Sequence, residues 1–451
     1  MATYPMGTGQ APLRLIAEDE REIIPERLLA KFWKERAARL SVLRTEAGRR
    51  VRVVYPGRAG VTAGPDFRDA LLEVEGVGFV HGDVELHIKQ KDWNAHGHGR
   101  DPNYNGVVFH GALEVHSEET RLQSGALAPV IDLSALLAEA PAAISAENSE
   151  TAPLIDLWQV LAKRGFPRPK TSEEMEETLD RVGDLRFKWK SGWLFQCIQA
   201  EGPDQALYQG LMEGLGYRSN QRPFVELASV APYQKLAKAA WQLPPESRHS
   251  AISNWLMDRS GLGFPEPLCQ TGREADQLSE DCLPKGLGSA MNKKEWRLFR
   301  VRPSNHPRRR IMGAAALLNR FLGLGLAVGL REVVQRESTS KLTAGLCVDG
   351  DSGPAYVGRG RAKDLAVNVV LPFMHAWDAW QAREVGRDSV SDADAPGIPE
   401  TLYSRYPLLA ANEITREMTA QLLPVGWQGA VSTARRQQGL LHLSEVLKGA
   451  F

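Results

Sequence analysis

The stretch 80–90 (VHGDVELHIKQ) constrains the fold of this chain more than any other. In an extended strand, successive side chains point to opposite faces. Here His81, Asp83, Glu85, His87 and Lys89 share one face, and Val84, Leu86 and Ile88 share the other. Such alternation predicts a strand with one apolar side, and that side needs partners. Three further strands are predicted nearby. Residues 50–55 (RVRVVY) alternate, 67–75 (FRDALLEVE) run into a turn at 76–78, and 107–116 (VVFHGALEVH) follow a polar, glycine-containing connection over 93–105. Ahead of them, 26–38 carries Leu28, Leu29, Phe32 and Trp33 at helical spacing, with Pro25 where a first helical turn tolerates proline. The expected N-terminal domain is α+β with a mixed sheet, in the order helix, three strands, connection, strand.

At 451 residues the chain exceeds one ordinary core. Its composition shifts after 131 toward Ala, Glu, Ser and Pro, and from 171 helical patterns dominate, at 174–181, 207–214, 225–241, 311–324 and 364–380. The expected organisation is a tail over 1–20, the α/β domain over 21–133, a connecting segment over 134–172 and a mainly α-helical domain over 173–451. A surface loop is expected over 386–399. Cys197, Cys269, Cys282 and Cys347 are far apart with no C-x-x-C pair, which argues against a zinc module or disulfide framework and for a reduced, cytoplasmic setting. No run approaches the roughly 18 apolar residues of a membrane span, and the first twenty residues lack the apolar core of a signal peptide. No membrane partner is expected. Basic and acidic residues balance at 55 each, so only local clusters speak about partners.

A polar strand face ordinarily meets only water. Histidine makes this one different: six of the ten histidines (His81, His87, His96, His98, His110, His116) fall between 81 and 116. Just upstream, Gly64-Pro65-Asp66-Phe67 fixes a turn that gives Asp66 a defined direction. By the same parity, His110, Glu114 and His116 share a face of the last strand. Asp66 and Glu85 are oxygen donors of the kind Mg²⁺ or Mn²⁺ prefers, and histidines beside them bring in Zn²⁺ or Fe²⁺. Asp66, Glu85, His96 and His98 are the candidate metal ligands, with His87 or Lys89 to assist a water. Trp93 and Tyr104 either frame this pocket or pack the connection onto the sheet.

These residues carry two resemblances. GPDF at 64–67, Gly82–His87, Asp92-Trp93, and His96, His98, Asp101, Tyr104 and Asn105 resemble the pattern of a bacterial family, domain of unknown function 2851. Later segments fit it too: 216–220 with Pro223-Phe224, His306-Pro307, 368–372 and 436–442 (RQQGLLH). The N-terminal domain also resembles the PD-(D/E)xK nuclease superfamily, in element order and in Pro65-Asp66 followed by Glu85. That resemblance implies metal-dependent cleavage of DNA or RNA, with Glu26 or Glu35 of the first helix supporting the metal. His87 stands where the superfamily has lysine, with Lys89 one step further on the same face. Histidine is not a permanent cation at neutral pH.

Two basic clusters lie in the second half. Arg308, Arg309 and Arg310 follow His306, and Arg359 and Arg361 precede a helix. They are candidate phosphate contacts; each alone reads more readily as an ordinary solvated face, and their joint presence supports phosphate contact. No G-x-S-x-G is present, and GRG at 358–360 is not a nucleotide loop. The expectation is a metal-dependent phosphodiesterase. Its alternatives are a non-catalytic nucleic-acid-binding or assembly protein on a degenerate nuclease fold, and a His-rich metallohydrolase of a small substrate.

Overall fold

The computed structural model describes residues 26–37, 43–60, 64–137, 157–263, 284–298, 301–351, 353–384 and 396–447. It divides into two units, Met1–Arg168 with Glu445–Phe451, and Pro169–Ser444. The tail expected over 1–20, Cys269, Cys282 and most of the loop expected over 386–399 lie outside the described residues.

The first unit opens with helix α1 (Glu26–Arg36), followed by β1 (Leu43–Thr45), β2 (Arg50–Tyr55), β3 (Arg58–Ala59), β4 (Phe67–Val74), β5 (Gly78–Lys89), β6 (Val107–Glu114), β7 (Glu119–Arg121) and β8 (Leu127–Asp132). The sheet runs β1-β2-β4-β5-β6-β8, and β8 pairs back onto β1, closing a six-stranded barrel. Pairing is antiparallel from β1 to β5, parallel for β5–β6 and β6–β8, and antiparallel at the closure. Every barrel strand contributes to one apolar cluster, with Leu43, Val53, Phe67, Leu72, Val84, Leu86, Phe109 and Ile131 among its members. Leu29 and Trp33 of α1 complete it, and Trp33 Nε1 donates to Pro56 O at 2.8 Å, so this large ring is buried without an orphaned donor. Gly82 lets β6 approach closely, since a Cβ there would stand 2.3 Å from the Val108 side chain.

Closure makes this unit a barrel, where the expectation was a mixed sheet in nuclease-like element order. The crossover differs as well. Between β5 and β6 the chain makes only the four-residue helix Asp92–Ala95 and two 3-10 turns, His98–Arg100 and Pro102–Tyr104. The nuclease-like order is therefore not confirmed, while a mixed sheet followed by a mostly helical region is what the chain forms. The stretch read as a connecting segment, 134–172, holds the helices Ser134–Leu137 and Leu157–Lys163, with 138–156 outside the described residues.

The second unit is helical. Thr171 caps the long helix Ser172–Glu201, its hydroxyl accepting from the Glu174 amide. The helix expected over 225–241 is two, Tyr217–Val230 and Tyr233–Trp241, parted at Pro232, which has no amide hydrogen with which to continue the ladder. The helix expected over 364–380 is interrupted by a π-helical turn, Ala366–Val370. Among the described residues no helix is long and apolar enough to cross a membrane.

Candidate metal centre

At Glu85 and His87 the polar face of β5 is shut off from water. Glu85 is buried and His87 is fully enclosed, because the 92–105 connection folds back over them. Trp93 and Tyr104, with Val107, Leu122 and Ala128, form a small second core on this side. The Trp93 ring lies 6.5 Å from that of His87, 5.5 Å from His98 and 5.1 Å from His110. His98 stacks on Tyr104 with centroids 4.0 Å apart. Gly97, left-handed at φ 79°, turns the chain between His96 and His98 so that both rings reach His87, with centroids 5.1 and 5.2 Å away.

Asp66 and Glu85 are locked by a reciprocal pair of bonds. The Asp66 amide donates to Glu85 Oε2 at 2.8 Å, and Asp66 Oδ2 accepts from the Leu86 amide at 3.1 Å. The β4 bulge beneath them is held by Asp69, left-handed at φ 59°, whose amide donates to Asp83 Oδ1 and whose carboxylate pairs with buried Arg58. The free oxygen of Glu85 faces the histidines, with Oε1 3.2 Å from His98 Nε2 and 3.9 Å from His87 Nε2.

One ring nitrogen from each of His87, His96 and His98 lies within 4.8 Å of the other two, the spacing of a site able to hold a metal ion. His96 Nδ1 is 3.2 Å from His87 Nε2. Behind His87 runs a buried polar chain. Its Nδ1 is 2.9 Å from His110 Nε2, and His110 Nδ1 is 2.8 Å from Thr120 Oγ1. Gln90 ends the chain, its Nε2 donating to Thr120 Oγ1 at 3.3 Å while its Oε1 accepts from the His116 and Ser117 amides.

The electrostatics suit a cation. Burial pushes the Glu85 and Asp66 carboxyls up, and their mutual repulsion raises Glu85 further; Glu26 at the start of α1 adds its charge to both. Burial, with its histidine neighbours, lowers His87 to about 3 and His110 to about 4, so both are neutral imidazoles at pH 7. His98 is lowered by burial and by His96. Tyr104 is pushed up to about 12 by burial and the nearby carboxyls. The site therefore gathers neutral imidazole nitrogens beside carboxyls whose ionisation burial opposes.

Of the residues singled out in the sequence, Asp66, Glu85, His87, His96 and His98 come together. Lys89 does not join them: its amine lies 3.6 Å from Glu114, two positions beyond His87. Both helical glutamates are exposed on α1, and of the two Glu26 acts on the charges of Asp66 and Glu85. In the helical unit the arginines bind backbone carbonyls. Arg308 reaches Leu262 O, Arg309 reaches Pro354 O, and Arg310 reaches Tyr356 O at 2.7 Å and Asn305 Oδ1 at 2.9 Å. Arg361 donates to Gly214 O at 3.1 Å and lies over the Tyr217 ring, and Arg359 is exposed at a helix start. Sequence reasoning missed Gln90 and Thr120. Nothing local marks a Gln at a strand end or a Thr on a three-residue strand as part of a histidine chain.

A family model described as a protein of unknown function (DUF2851) matches residues 26–392, which takes in every residue of this centre. Comparisons with curated proteins and with solved structures found no match.

Proposed function

For this chain, which belongs to the DUF2851 family, we propose that the barrel unit is a histidine-rich metallohydrolase acting on a small substrate. The observation that carries the reading is the convergence of three imidazole nitrogens within 4.8 Å beside the buried carboxyl of Glu85. Metal–nitrogen bonds of about 2.0–2.1 Å at a tetrahedral ion put neighbouring ligand atoms about 3.3 Å apart. The His96–His87 separation, 3.2 Å, fits that edge. Three imidazoles favour zinc, iron or manganese over magnesium. Three protein ligands with one open position is the pattern of catalytic rather than structural zinc sites, and His96 is exposed, which leaves that side reachable.

An ion held by His87, His96 and His98 would lower the pKa of a water toward neutrality. The protein's own groups do the rest. Glu85 Oε1 is placed to take the proton, and its other oxygen is pinned by the Asp66 amide. The His110–Thr120 chain holds the His87 ring in one orientation. Tyr104 and Trp93 wall the site against bulk water.

Cleavage of nucleic acid is the less supported reading. It keeps Asp66 and Glu85 but loses its cation, since Lys89 pairs with Glu114 and His87 is neutral. The test is elemental analysis of purified protein, then hydrolysis assays on p-nitrophenyl esters, bis-p-nitrophenyl phosphate, DNA and RNA. The reading expects about one zinc, iron or manganese per chain, lost in both His96→Ala and His98→Ala. It expects small-substrate turnover that falls on the order of 10²–10⁴-fold in Glu85→Gln with the ion retained. Protein that takes up no such ion, or turnover indifferent to Glu85, refutes it; cleavage of DNA or RNA alone returns the site to the nuclease reading.

A further inference from the structure

We propose that the outer face of the long helix Ser172–Glu201 pairs two copies of this chain, antiparallel about a two-fold axis. Exposed residues recur along it at Arg181, Leu185, Lys188, Trp189, Gly192 and Trp193. Spacings of three and four residues put them in one stripe. A solvated helix face has no need of large apolar side chains. Here Leu185 is 44% exposed, Trp189 54% and Trp193 47%. An exposed cluster of that kind marks an interaction surface.

The two halves of the stripe differ. The N-terminal half borders a groove of about 410 Å³, lined by Glu177, Arg181, Leu185 and Lys188 of this helix and by Arg435 of the helix Ala434–Leu447. The C-terminal half carries the two indoles. Gly192 lies beside them on the same face, and a Cβ there would meet nothing within 4 Å. Glycine weakens a helix interior, and no packing within the chain requires it at this position. A second helix laid across the stripe gives it a reason, since it clears room beside the rings.

A face with a groove in one half and bulky rings in the other is complementary to itself under a two-fold axis. An axis near Phe187 lays the tryptophans of each copy over the groove of the other, so the same contact is made twice. Leu185 then packs under an indole of the second copy. Arg181 and Lys188 of the groove bring cations to ring faces, an attraction that grows as water is excluded. The helical unit already uses this pairing internally, with Arg331 3.6 Å over the Trp377 ring and Arg248 4.6 Å over Trp241.

Charge selects a second copy over nucleic acid or an anionic membrane surface. Glu174 and Glu177 are exposed at the N-terminal end of the stripe, ahead of Arg181 and Lys188. A polyanion would meet those carboxylates beside the cations. An antiparallel second copy sets Gln196, Gln199 and Ala200 against them, and these carry no charge. From Glu177 to Gln196 the stripe is about 30 Å long and about 10 Å wide. That is a small contact, well under the roughly 800 Å² per partner of a standard interface, and fits a weak, reversible dimer.

Sedimentation equilibrium of the full chain reads mass against concentration. The mass is expected to rise from 49.8 kDa toward twice that value between about 1 and 300 μM. Trp189→Glu and Trp193→Glu are each expected to weaken association at least about tenfold. Trp241→Glu, which alters an equally exposed indole elsewhere in the unit, is expected to leave it unchanged. An equal mixture of Leu185→Glu, with its groove spoiled, and Trp193→Glu, with its ring removed, retains one sound contact and is expected to associate more strongly than either variant alone. A chain that stays at 49.8 kDa throughout overturns the proposal, and leaves the face to some other partner. Association indifferent to Trp189 and Trp193 overturns it too, as does a mixture no stronger than its components.

Discussion

Replacing Glu85 by glutamine separates what this carboxyl does for the fold from what it does for a cation. Without metal, burial and the Asp66 charge keep Glu85 protonated through neutral pH, whereas the unfolded chain ionises it near its ordinary value of 4.5. A group whose folded pKa is raised gives stability fully present below the unfolded value and lost as pH rises. Between pH 4.5 and 7, at about 1.4 kcal/mol per unit, the unfolded state gains about 3 kcal/mol that glutamine would deny it. Glutamine keeps the geometry: its oxygen accepts from the Asp66 amide and its nitrogen faces His98. In chelator-treated protein, Glu85→Gln should therefore raise the melting temperature of the barrel unit by on the order of 10 °C at pH 7 and by little at pH 4.5. Adding zinc should narrow the gap, because a bound cation also stabilises an ionised Glu85, which glutamine cannot supply. A melting-temperature difference that stays constant from pH 4.5 to 7, measured by calorimetry at several pH values, would refute the account of a buried protonated carboxyl.

Two further outcomes test the surrounding frame. Gln90→Ala removes the acceptor of the His116 and Ser117 amides and a donor to Thr120, and should cost about 2–4 kcal/mol in urea unfolding; a loss under 0.5 kcal/mol would show that water replaces it. His87 and His110 have folded values near 3 and 4, far below the ordinary 6.5, so the unfolded chain takes up protons first and metal-free protein should lose stability as pH falls from 6.5 toward 4, by up to about 1.4 kcal/mol per unit per histidine. His110→Leu should flatten that dependence, and an unchanged slope would place the acid sensitivity elsewhere.

Much of the barrel was legible because its signals are local. The alternation of β5 needs no tertiary information, and Gly64-Pro65-Asp66 declares a turn by its residue types alone. Barrel closure was not legible. It depends on β1, three residues long, pairing with β8 some ninety residues away, and three residues carry no periodicity. The crossover was legible only in outline. A polar, glycine-containing connection with room for a short helix is what forms, the helix Asp92–Ala95, and Gly97 in the left-handed region then turns the chain.

The candidate centre shows the same division more sharply. Parity put Glu85 and His87 on one face, and that much is chemistry read from a period of two. Parity is silent on what covers the face, and the covering makes the site. On a wet strand Glu85 would ionise and His87 would titrate near neutrality; beneath Trp93 and Tyr104 one is held protonated and the other neutral. Lys89 fails for a reason parity cannot express, since its β6 neighbour in register is Glu114. Residues whose chemistry depends on what lies across from them are invisible to a linear reading.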